Sequence, residues 1–482
     1  MAQSIRIILP KFNLNKPTYF KGYVNISEKK ELVIYITEYS INYKDITNEE
    51  SDKDNVITGY CNACPRHRGM DVVHKNTLVL ETREGLCVKK MTLNGKNVDK
   101  RDNCIIMLYD HEKFKCTETI SDSMDYFSEL QYLLKDESNR LNICSFEPVL
   151  RTPYWLSSSM FIQHMLNYVN LVNWLISTVK RDKKVTIKQG NLILAILTDV
   201  ALGYFILGLL TQEKKELSAM LMGILEKLVN LLYSLLKWLM GSPAGLKLNN
   251  AFNKMLGKYF SYHIQLWWLF LDVTGEKLDI ILHVYHYLGY LGLTFQAAII
   301  SDMICVATFH SYCIYVYAAR LFNIQISGLV ALMRLFVGRK YNPLRGGIDS
   351  CEYTNQELFV GTVAFTILLL LLPTTTMYYI VFTLFRLLSL GMQYILAKLI
   401  YLVQTLPLYV VTLWLARSPR VAGDILLEVE CYEESSPLLL RVKLFNKSLQ
   451  EVVNNFKPPV EAPKHFEWTN LLSNVVVGKQ II

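Results

Sequence analysis

Two pairs of acidic residues have spacings that could serve transfer chemistry on a diphosphate. Asp52 and Asp54 show the Asp-x-Asp spacing with which many sugar-nucleotide transferases hold a divalent ion. They lie in a run of charges with no apolar strand before it, which favours a solvated loop. Glu129 and Glu137 have seven residues between them, but the helix-like segment 128–135 is the wrong setting for such a pair. Neither pair predicts a catalytic centre.

Cysteine and histidine pairs are the candidates for metal ligands. Cys61 and Cys64, followed by His67, could hold zinc or do redox chemistry. A structural zinc site needs four ligands, usually from two such pairs. The remaining N-terminal cysteines are single, which favours free thiols and leaves the metal site as the alternative: Cys87, Cys104, Cys116 and Cys144. His283 and His286 share one helix face, where interfacial hydrogen bonds are favoured over a metal.

A nearly uncharged stretch places these candidates in a membrane protein. Between Leu358 and Ala416 the only charged residues are Arg386 and Lys398. A membrane-spanning helix needs about 20 apolar residues, so this stretch is long enough for two crossings. Pro373 lies inside it, where the threonines that follow can satisfy the backbone groups that a proline frees. The formal net charge of +8 is scattered over loops and flanks, which indicates membrane topology and anionic headgroups and argues against nucleic acid.

The pattern predicts a polytopic α-helical membrane protein with a cytosolic α/β domain at its N-terminus and a short β-containing tail. The predicted domains are residues 1–185, 186–416 and 417–482. Strand-like runs begin the first domain, and two more lie in the tail. About six spans are favoured and four are the alternative. The six are placed near 191–210, 219–240, 257–272, 287–309, 358–384 and 389–414.

Basic clusters predict the orientation of the spans. The clusters at 180–184, 334–345 and 417–420 belong on the cytosolic side under the positive-inside rule. An even number of crossings must then separate each pair of clusters. The first residues show no secretory signal, so both termini are predicted to be cytosolic. The Asn-x-Ser sites at Asn25 and Asn446 are then expected to carry no sugar.

Ionisable residues inside or beside the spans are the candidate contact sites. Asp199, Asp302 and Arg320 lie within apolar segments, where such groups mark a function or a buried partner contact. Asp199 is therefore expected to face protein. Four basic residues around the loop 338–345 are predicted to lie at the membrane surface near anionic groups: Arg334, Arg339, Lys340 and Arg345.

Longer motifs are far more specific than any of these signals. In chain order they are Asp199–Gly203, Trp238–Asn249, Tyr262–Ile264, Thr308–His310, Tyr315–Leu321, Asp349–Cys351 and Leu370–Thr375. This ordered set resembles the subunit Q (PIG-Q) family of the phosphatidylinositol N-acetylglucosaminyltransferase complex. The resemblance is strong from about residue 190 to 420 and faint in the first 150 residues. The family-motif positions singled out are Gly241, Pro243, Gly245, His263, His310 and Pro373.

The resemblance implies a place in the endoplasmic reticulum membrane. The complex of that family transfers N-acetylglucosamine from UDP-N-acetylglucosamine to phosphatidylinositol on the cytosolic face, the first step of GPI-anchor biosynthesis. Catalysis in the family belongs to the subunit PIG-A. Subunit Q is implied to stabilise the assembly of PIG-A, PIG-C, PIG-H, PIG-P and PIG-Y, so no catalytic residue, cofactor or metal is expected in this chain. Because the substrates of that complex are anionic, the resemblance also implies that a lipid headgroup or a sugar-nucleotide diphosphate contacts the basic residues Arg334, Arg339, Lys340 and Arg345.

Two other functions remain as alternatives. The first is a polytopic membrane glycosyltransferase that acts on its own, with Asp52, Asp54 or the acids in the spans taking part. The second is a transporter or lipid scramblase, which only the charged groups in the spans suggest. The chain shows no clear internal repeat, which counts against a transporter.

Overall fold

The computed structural model describes fifteen stretches of the chain. They are residues 4–12, 16–26, 31–42, 56–62, 76–82, 88–98, 104–118, 125–134, 159–182, 184–211, 214–241, 245, 248–431, 437–463 and 467–480. The chain forms two compact units. The sheet unit contains residues 1–146, 175–191 and 407–458, and the helical unit contains residues 147–174, 192–406 and 459–482.

A ten-stranded mixed sheet is the core of the sheet unit. Its strands are β1 (Ile5–Pro10), β2 (Thr18–Ile26), β3 (Leu32–Ser40), β4 (Val56–Cys61), β5 (Asn76–Thr82), β6 (Val88–Leu93), β7 (Lys96–Asn97), β8 (Cys104–Tyr109), β11 (Ala422–Cys431) and β12 (Leu438–Asn446). Their order is β11-β12-β8-β1-β3-β2-β4-β5-β6-β7. The strand-like runs of the N-terminal sequence are therefore strands, and an N-terminal sheet domain is confirmed.

The two C-terminal strands belong to the same sheet as the N-terminal ones. Strand β12 pairs in parallel with β8, with Leu439 opposite Ile106, and β11 pairs antiparallel with β12. The central strands β1 and β8 are almost wholly apolar and need a neighbour on each side. The C-terminal strands supply that neighbour, so residues that the sequence placed in a separate tail complete the first fold.

Apolar side chains cover both faces of this sheet. On one face Ile7, Ile34 and Ile106 are fully buried. On the other face Tyr35 and Tyr109 pack with two short helices, α1 (His111–Cys116) and α2 (Asp125–Leu134). The alternation follows from the period of two in a strand, which sends neighbouring side chains to opposite faces.

The described residues after α2 contain eleven further α-helices. They are α3 (Met160–Asp182), α4 (Ile187–Thr211), α5 (Lys214–Met240), α6 (Asn250–Gly275), α7 (Leu278–Gly289), α8 (Leu293–Ala307), α9 (Phe309–Phe336), α10 (Asn355–Gln404), α11 (Leu408–Leu415), α12 (Leu449–Asn455) and α13 (Trp468–Val477). A two-stranded hairpin, β9 (Arg339–Asn342) and β10 (Gly347–Ser350), connects α9 to α10.

Four described helices are long and apolar enough to cross a membrane. They are Ile187–Leu210, Leu217–Met240, Phe309–Phe336 and Asn355–Gln404. The predicted span at 287–309 covers the end of α7 and the 15-residue α8, which is too short to cross alone. The predicted span at 257–272 lies in α6, which carries Lys254, Lys258 and Asp272. Helix α9 is a candidate that the six-span scheme did not contain.

Helix α10 is one continuous helix of 50 residues. A capping box begins it, because Thr354 N–H donates to the Glu357 carboxylate at 2.8 Å and Glu357 N–H donates back to the Thr354 hydroxyl at 3.4 Å. The sequence predicts two spans with a break at 385–388, and the structure has no break there. The helix ends just before Pro407, since the residue that precedes a proline disfavours helical geometry.

Pro373 lies inside α10 without ending it. The hydroxyls of Thr375 and Thr376 donate to the Leu372 carbonyl at 3.0 and 2.8 Å. The Thr375 hydroxyl also lies within hydrogen-bond distance of the Gln325 side-chain oxygen of α9, so its single hydrogen has two possible acceptors. The threonine hydroxyls beside the proline therefore bond the Leu372 carbonyl, and the contact of Thr375 with Gln325 joins α10 to α9 at the same point.

Candidate functional site

Two short helices and the turn between them form the centre of the site. Helices α7 and α8 have 12 and 15 residues, or about 18 and 22 Å, less than the roughly 30 Å of a bilayer core. The turn between them packs on the middle of α4, the most apolar candidate span. Non-helical backbone at that position must have its polar groups satisfied by protein.

Asp199 of α4 satisfies the first turn of α8. Its Oδ1 accepts a hydrogen bond from Thr294 N–H at 2.8 Å, and its Oδ2 accepts from the Thr294 hydroxyl at 2.6 Å. The side chain is buried, with the residue 5% exposed. A carboxylate at a helix N-terminus meets unpaired N–H groups and the positive end of the helix dipole. Asp199 is thus an N-terminal cap provided by a different helix.

Two glycines allow this close approach. A Cβ on Gly203 would lie 2.6 Å from the carbonyl carbon of Gly292. A Cβ on Gly292 would lie 2.4 Å from Asp199 Oδ2, and Gly292 also has φ +144°. Only glycine meets both demands, because side chains are strained in that backbone region and no space is left for one.

Gln296 donates hydrogen bonds to two backbone carbonyls beside the turn between α7 and α8. Its amide nitrogen donates to the Gly203 carbonyl at 2.7 Å and to the Gly289 carbonyl at 3.0 Å. The Tyr285 hydroxyl donates to its amide oxygen at 3.4 Å. Gln296 is 1% exposed, so this hydrogen bonding takes place away from solvent and fixes α4, α7 and α8 together.

His164 of α3 extends the network. Its Nε2 lies 3.0 Å from the Thr294 hydroxyl oxygen. That hydroxyl gives its only hydrogen to Asp199, so Nε2 must be the donor to the Thr294 oxygen. Burial lowers the pKa of His164 to about 4. The order of donation is therefore His164 to Thr294 to Asp199.

The lowered pKa of His164 predicts a loss of stability in acid. Burial disfavours protonation of His164 in the folded protein, whereas the same imidazole has an ordinary pKa in the unfolded chain. The free energy of unfolding is therefore constant above about pH 6.5 and falls between about pH 6.5 and 4. At pH 5 the loss is about 2 kcal/mol. Thermal unfolding midpoints at pH 7.5 and pH 5 measure it. His164→Gln keeps a donor for Thr294 and should flatten the difference; an equal difference in both proteins would contradict the assignment.

Asp302 makes a second cap of the same kind. From α8 it accepts hydrogen bonds at the N-terminus of α3, from the Ser159 hydroxyl at 2.6 Å, Met160 N–H at 2.8 Å and Phe161 N–H at 3.1 Å. We call His164, Asp199, Thr294, Gln296 and Asp302 the polar cluster. The polar cluster links α4 to α8 and α8 to α3. Each of its two acids lies on one helix and caps the first turn of another.

The chemistry open to this cluster follows from its bonding. The oxygens of both carboxylates already accept hydrogen bonds from backbone N–H and hydroxyl groups, so they are engaged in capping helix N-termini. Within the described residues no three His, Cys, Asp or Glu side chains converge so that they could hold a metal ion. The geometry of the polar cluster is that of a structural centre.

A model of the family described as "N-acetylglucosaminyl transferase component (Gpi1)" matches residues 151–423. The chain belongs to the Gpi1 family. The match begins just before α3, contains all nine helices from α3 to α11, and ends at the first residues of β11. The polar cluster and both of its caps therefore lie inside the family region, whereas most of the sheet lies outside it.

Curated relatives that are named subunit Q or gpi1 also match this chain. The chain is 38% identical to mouse phosphatidylinositol N-acetylglucosaminyltransferase subunit Q over 68% of this chain and 56% of that protein. It is 42% identical to the human subunit Q over 55% of this chain and 35% of that protein. It is 33% identical to the Schizosaccharomyces pombe N-acetylglucosaminyl-phosphatidylinositol biosynthetic protein gpi1 over 42% and 31%. The chain thus spans about half of the length of the mouse protein and about a third of the length of the other two. No solved structure matches it.

The recognition of the PIG-Q family from sequence motifs is confirmed. Some Gpi1 motif positions lie at helix ends: Gly241 follows α5, and Gly245 has φ +73°. His263 of α6 stacks on Tyr317, and His310 of α9 stacks on Phe270, with ring centroids 5.6 and 5.3 Å apart. These aromatic pairs fasten α6 to α9. Pro243 lies outside the described residues.

The structure separates the predicted contact residues of this Gpi1 chain. Asp199 and Asp302 join the polar cluster, whereas Arg320 is exposed on α9. The basic residues Arg339, Lys340 and Arg345 are exposed on the hairpin. The contact of these basic residues with a lipid headgroup or a diphosphate stays a prediction. The contact of Asp199, Asp302 and Arg320 with a partner subunit also stays a prediction. Asp52, Asp54, Cys64, His67 and Glu137 lie outside the described residues.

Cys61, the described member of the Cys61–Cys64 pair, is buried in β4. Burial raises the pKa of its thiol to about 11. A metal ligand or a redox nucleophile must be a thiolate, and burial of Cys61 disfavours that form.

Sequence reasoning missed the partners of the two acids. His164, Thr294 and Gln296 were not singled out, and neither was Gly292. The available signal was the sequence Gly289-Tyr290-Leu291-Gly292 inside an apolar segment. Glycines three apart beside a span that carries an acid indicate a helix break whose N–H groups the acid could cap.

Proposed function

We propose that this chain is a non-catalytic, stabilising subunit of the complex that transfers N-acetylglucosamine from UDP-N-acetylglucosamine to phosphatidylinositol. The observation that carries the proposal is the bonding of the two acids in the family region. Asp199 and Asp302 each cap the N-terminus of a helix other than their own. Their role is to hold α3, α4 and α8 in one arrangement, which is what a scaffold requires.

The partners and the location are part of this proposal. The partner subunits are PIG-A, which supplies catalysis, and PIG-C, PIG-H, PIG-P and PIG-Y. The membrane is that of the endoplasmic reticulum, with phosphatidylinositol as the lipid substrate and both termini in the cytosol. Relatives named as subunit Q of the transferase support this assignment, and so do the four apolar helices.

A glycosyltransferase that acts on its own is the second candidate. It would need a carboxylate that is free to act as a base or to bind a metal ion. Asp199 and Asp302 are engaged by helix N-termini, so this candidate rests on Asp52 and Asp54. No described contact favours it.

Reconstitution tests the scaffold role directly. The purified chain, the remaining subunits without it, and the full set are each incubated with labelled UDP-N-acetylglucosamine and phosphatidylinositol. The full set should be active, the chain alone inactive, and the incomplete set unstable on size exclusion. Transfer by the lone chain would overturn the proposal.

The double variant Asp52→Ala with Asp54→Ala should leave turnover of the complex near normal. Both residues lie in a run of charges that reads as a solvated loop. The measurement is turnover per assembled complex, with the amount of complex determined on the same sample. A ten-fold loss at unchanged assembly, about 1.4 kcal/mol in the barrier, would restore the glycosyltransferase alternative.

A further inference from the structure

Two apolar cavities adjoin in the helical unit, between α5 on one side and the short helices α7 and α8 on the other. The first has a volume of about 380 Å³ and the second about 360 Å³. Both volumes are within the range of about 300–1,000 Å³ that ligand pockets occupy. Four residues line both cavities and therefore lie at the boundary between them: Leu225, Leu278, Met303 and Ala307.

The polar side chains in the described cavity walls already have hydrogen-bond partners within the protein. Asp302 accepts its hydrogen bonds from the N-terminus of α3. The Thr274 hydroxyl donates to the Phe270 carbonyl at 2.7 Å, and the Tyr285 hydroxyl donates to Gln296 at 3.4 Å. The other described lining residues are apolar or glycine. Because a polar ligand would lose its hydrogen bonds to water there, the occupant must be apolar.

Both cavities open onto apolar surface. Met220 and Ile224 of α5 line the second cavity and are 56% and 53% exposed. Val306 of α8 lines the first cavity and is 54% exposed. Helix α5 is one of the four candidate spans, and a span is surrounded by lipid hydrocarbon. The molecules that reach the cavity mouths are therefore lipids.

The short helices explain why a space of this size remains. Helices α7 and α8 have 12 and 15 residues, too few for either to cross a bilayer. Asp199 and Gln296 fix the turn between them on α4, which keeps α7 and α8 from closing on α5. Packed protein has few voids larger than a water molecule, so a stable arrangement of these helices requires a molecule that fills the space.

The cavity volumes favour a lipid chain over a helix of another protein. An α-helix with its side chains is about 10–12 Å across, so one turn of about 5.4 Å fills roughly 400–600 Å³. Each cavity is smaller than that. A hydrocarbon chain is a narrow row of methylene groups. If each group takes roughly the 30 Å³ of a water molecule, about 12 groups fit in each cavity.

We infer that the paired cavities bind one diacyl glycerophospholipid, with one acyl chain in each cavity and the headgroup outside. Two adjoining cavities of nearly equal volume match the two chains of a single lipid. The lipid acts as a structural ligand that fills the space between α5, α7 and α8. Its retention depends on its two chains and not on its headgroup, because every polar side chain of the described lining is already engaged.

Photocrosslinking tests where the lipid binds. The full chain, alone and assembled with its partner subunits, is loaded with phosphatidylcholine that carries a diazirine in one acyl chain, and is then washed in detergent. Adducts are mapped by mass spectrometry of peptides. Segments 217–225, 278–288 and 299–307, which line the cavities, should carry about ten-fold more adduct than the exposed surface of α10 around Phe359 and Leu370.

Two crosslinking outcomes would overturn the inference. One is an equal yield on the cavity segments and on α10, which would show only the general contact of a membrane protein with bilayer lipid. The other is loss of the cavity adducts when the partner subunits are bound, which would assign the cavities to a protein partner.

Filling the cavities should expel the lipid. Ala307→Phe places a ring where the two cavities meet, and loss of room for about two methylene groups should lower the retained phospholipid about ten-fold. Leu225→Phe, from the opposite wall, should lower it in the same direction. The control Ala331→Phe adds the same ring at an exposed position of α9 that lines neither cavity. It should retain the parental amount.

The readout is phospholipid per chain after detergent washing, determined by mass spectrometry on protein whose thermal unfolding midpoint is also measured. Parental retention in folded Ala307→Phe and Leu225→Phe proteins would contradict the inference.

A single-chain lipid tests the pairing of the cavities in the unmodified protein. Lysophosphatidylcholine should leave the protein about ten-fold faster, or more, than phosphatidylcholine, because it fills one cavity only. Phosphatidylserine should be retained as well as phosphatidylcholine. Equal retention of the single-chain lipid, or a strong headgroup preference, would overturn the inference. None of these measurements uses transfer of N-acetylglucosamine, so their failure leaves the proposed function untouched.

Discussion

Gly292→Ala should destabilise the helical unit by about 4 kcal/mol, the larger of the two strongest effects that we expect. Gly292 has φ +144°, and a Cβ there would lie 2.4 Å from Asp199 Oδ2. Backbone strain at such a position is of the order of 1–3 kcal/mol. Displacement of the Asp199 carboxylate from Thr294 adds the loss of charge-assisted hydrogen bonds. The thermal unfolding midpoint of the purified chain measures the effect.

Gly208→Ala is the matched control. Gly208 lies on α4, and a Cβ there meets no atom within 4 Å. Alanine is the better helix former by about 1 kcal/mol, so this variant should equal or slightly exceed the parent in stability. Equal unfolding midpoints for the two alanine variants would show that the close packing of Gly292 on Asp199 is absent in solution.

Asp199→Ala should cost about 3 kcal/mol and lower the amount of assembled complex in cells. The change removes both acceptors of Thr294, whose N–H and hydroxyl lie 2.8 and 2.6 Å from the carboxylate. These donors would then be buried without partners. Asp199→Asn keeps an acceptor for the N–H and should lose about half as much. Unfolding midpoints and the yield of complex on size exclusion measure both variants.

Leu197→Ala supplies the control for Asp199→Ala. Leu197 is two residues away on α4 and is 60% exposed, so its truncation should be nearly neutral. The double variant Asp199→Ala with Gly292→Ala should lose less than the sum of the single losses, because both changes break the same cap. Strict additivity would argue that Gly292 and Asp199 do not act on one another.

The helical class could be predicted from the sequence because it depends on composition and spacing. Apolar runs of span length around residues 192–210 and 358–384 identify membrane helices before any partner is known. The same runs do not say where a helix continues. Phe385-Arg386-Leu387-Leu388 looks like a boundary because it holds a charge, but a single arginine that lies 4.4 Å over the Tyr312 ring is tolerated inside α10.

The candidate site was only half visible in the sequence. Asp199 and Asp302 stand out because acids in apolar segments are costly and call for partners. Their partners are backbone N–H groups at the starts of α8 and α3. Every residue carries such a group, so no residue type marks which N–H is left unpaired. The caps become visible only when helix ends are known.

Family, membrane class and the need to satisfy two buried acids were determined by the sequence alone, because motif order, hydropathy and charge are properties of the chain itself. The tertiary structure decided three further points. It joined β12 to β8 in one sheet, it assigned each acid to the N-terminus of another helix, and it made residues 355–404 one helix. The first two depend on groups far apart in the chain meeting in space, about which local patterns carry no information. The third depends on helix 309–336, whose Tyr312 ring accommodates Arg386 where the sequence suggests a boundary.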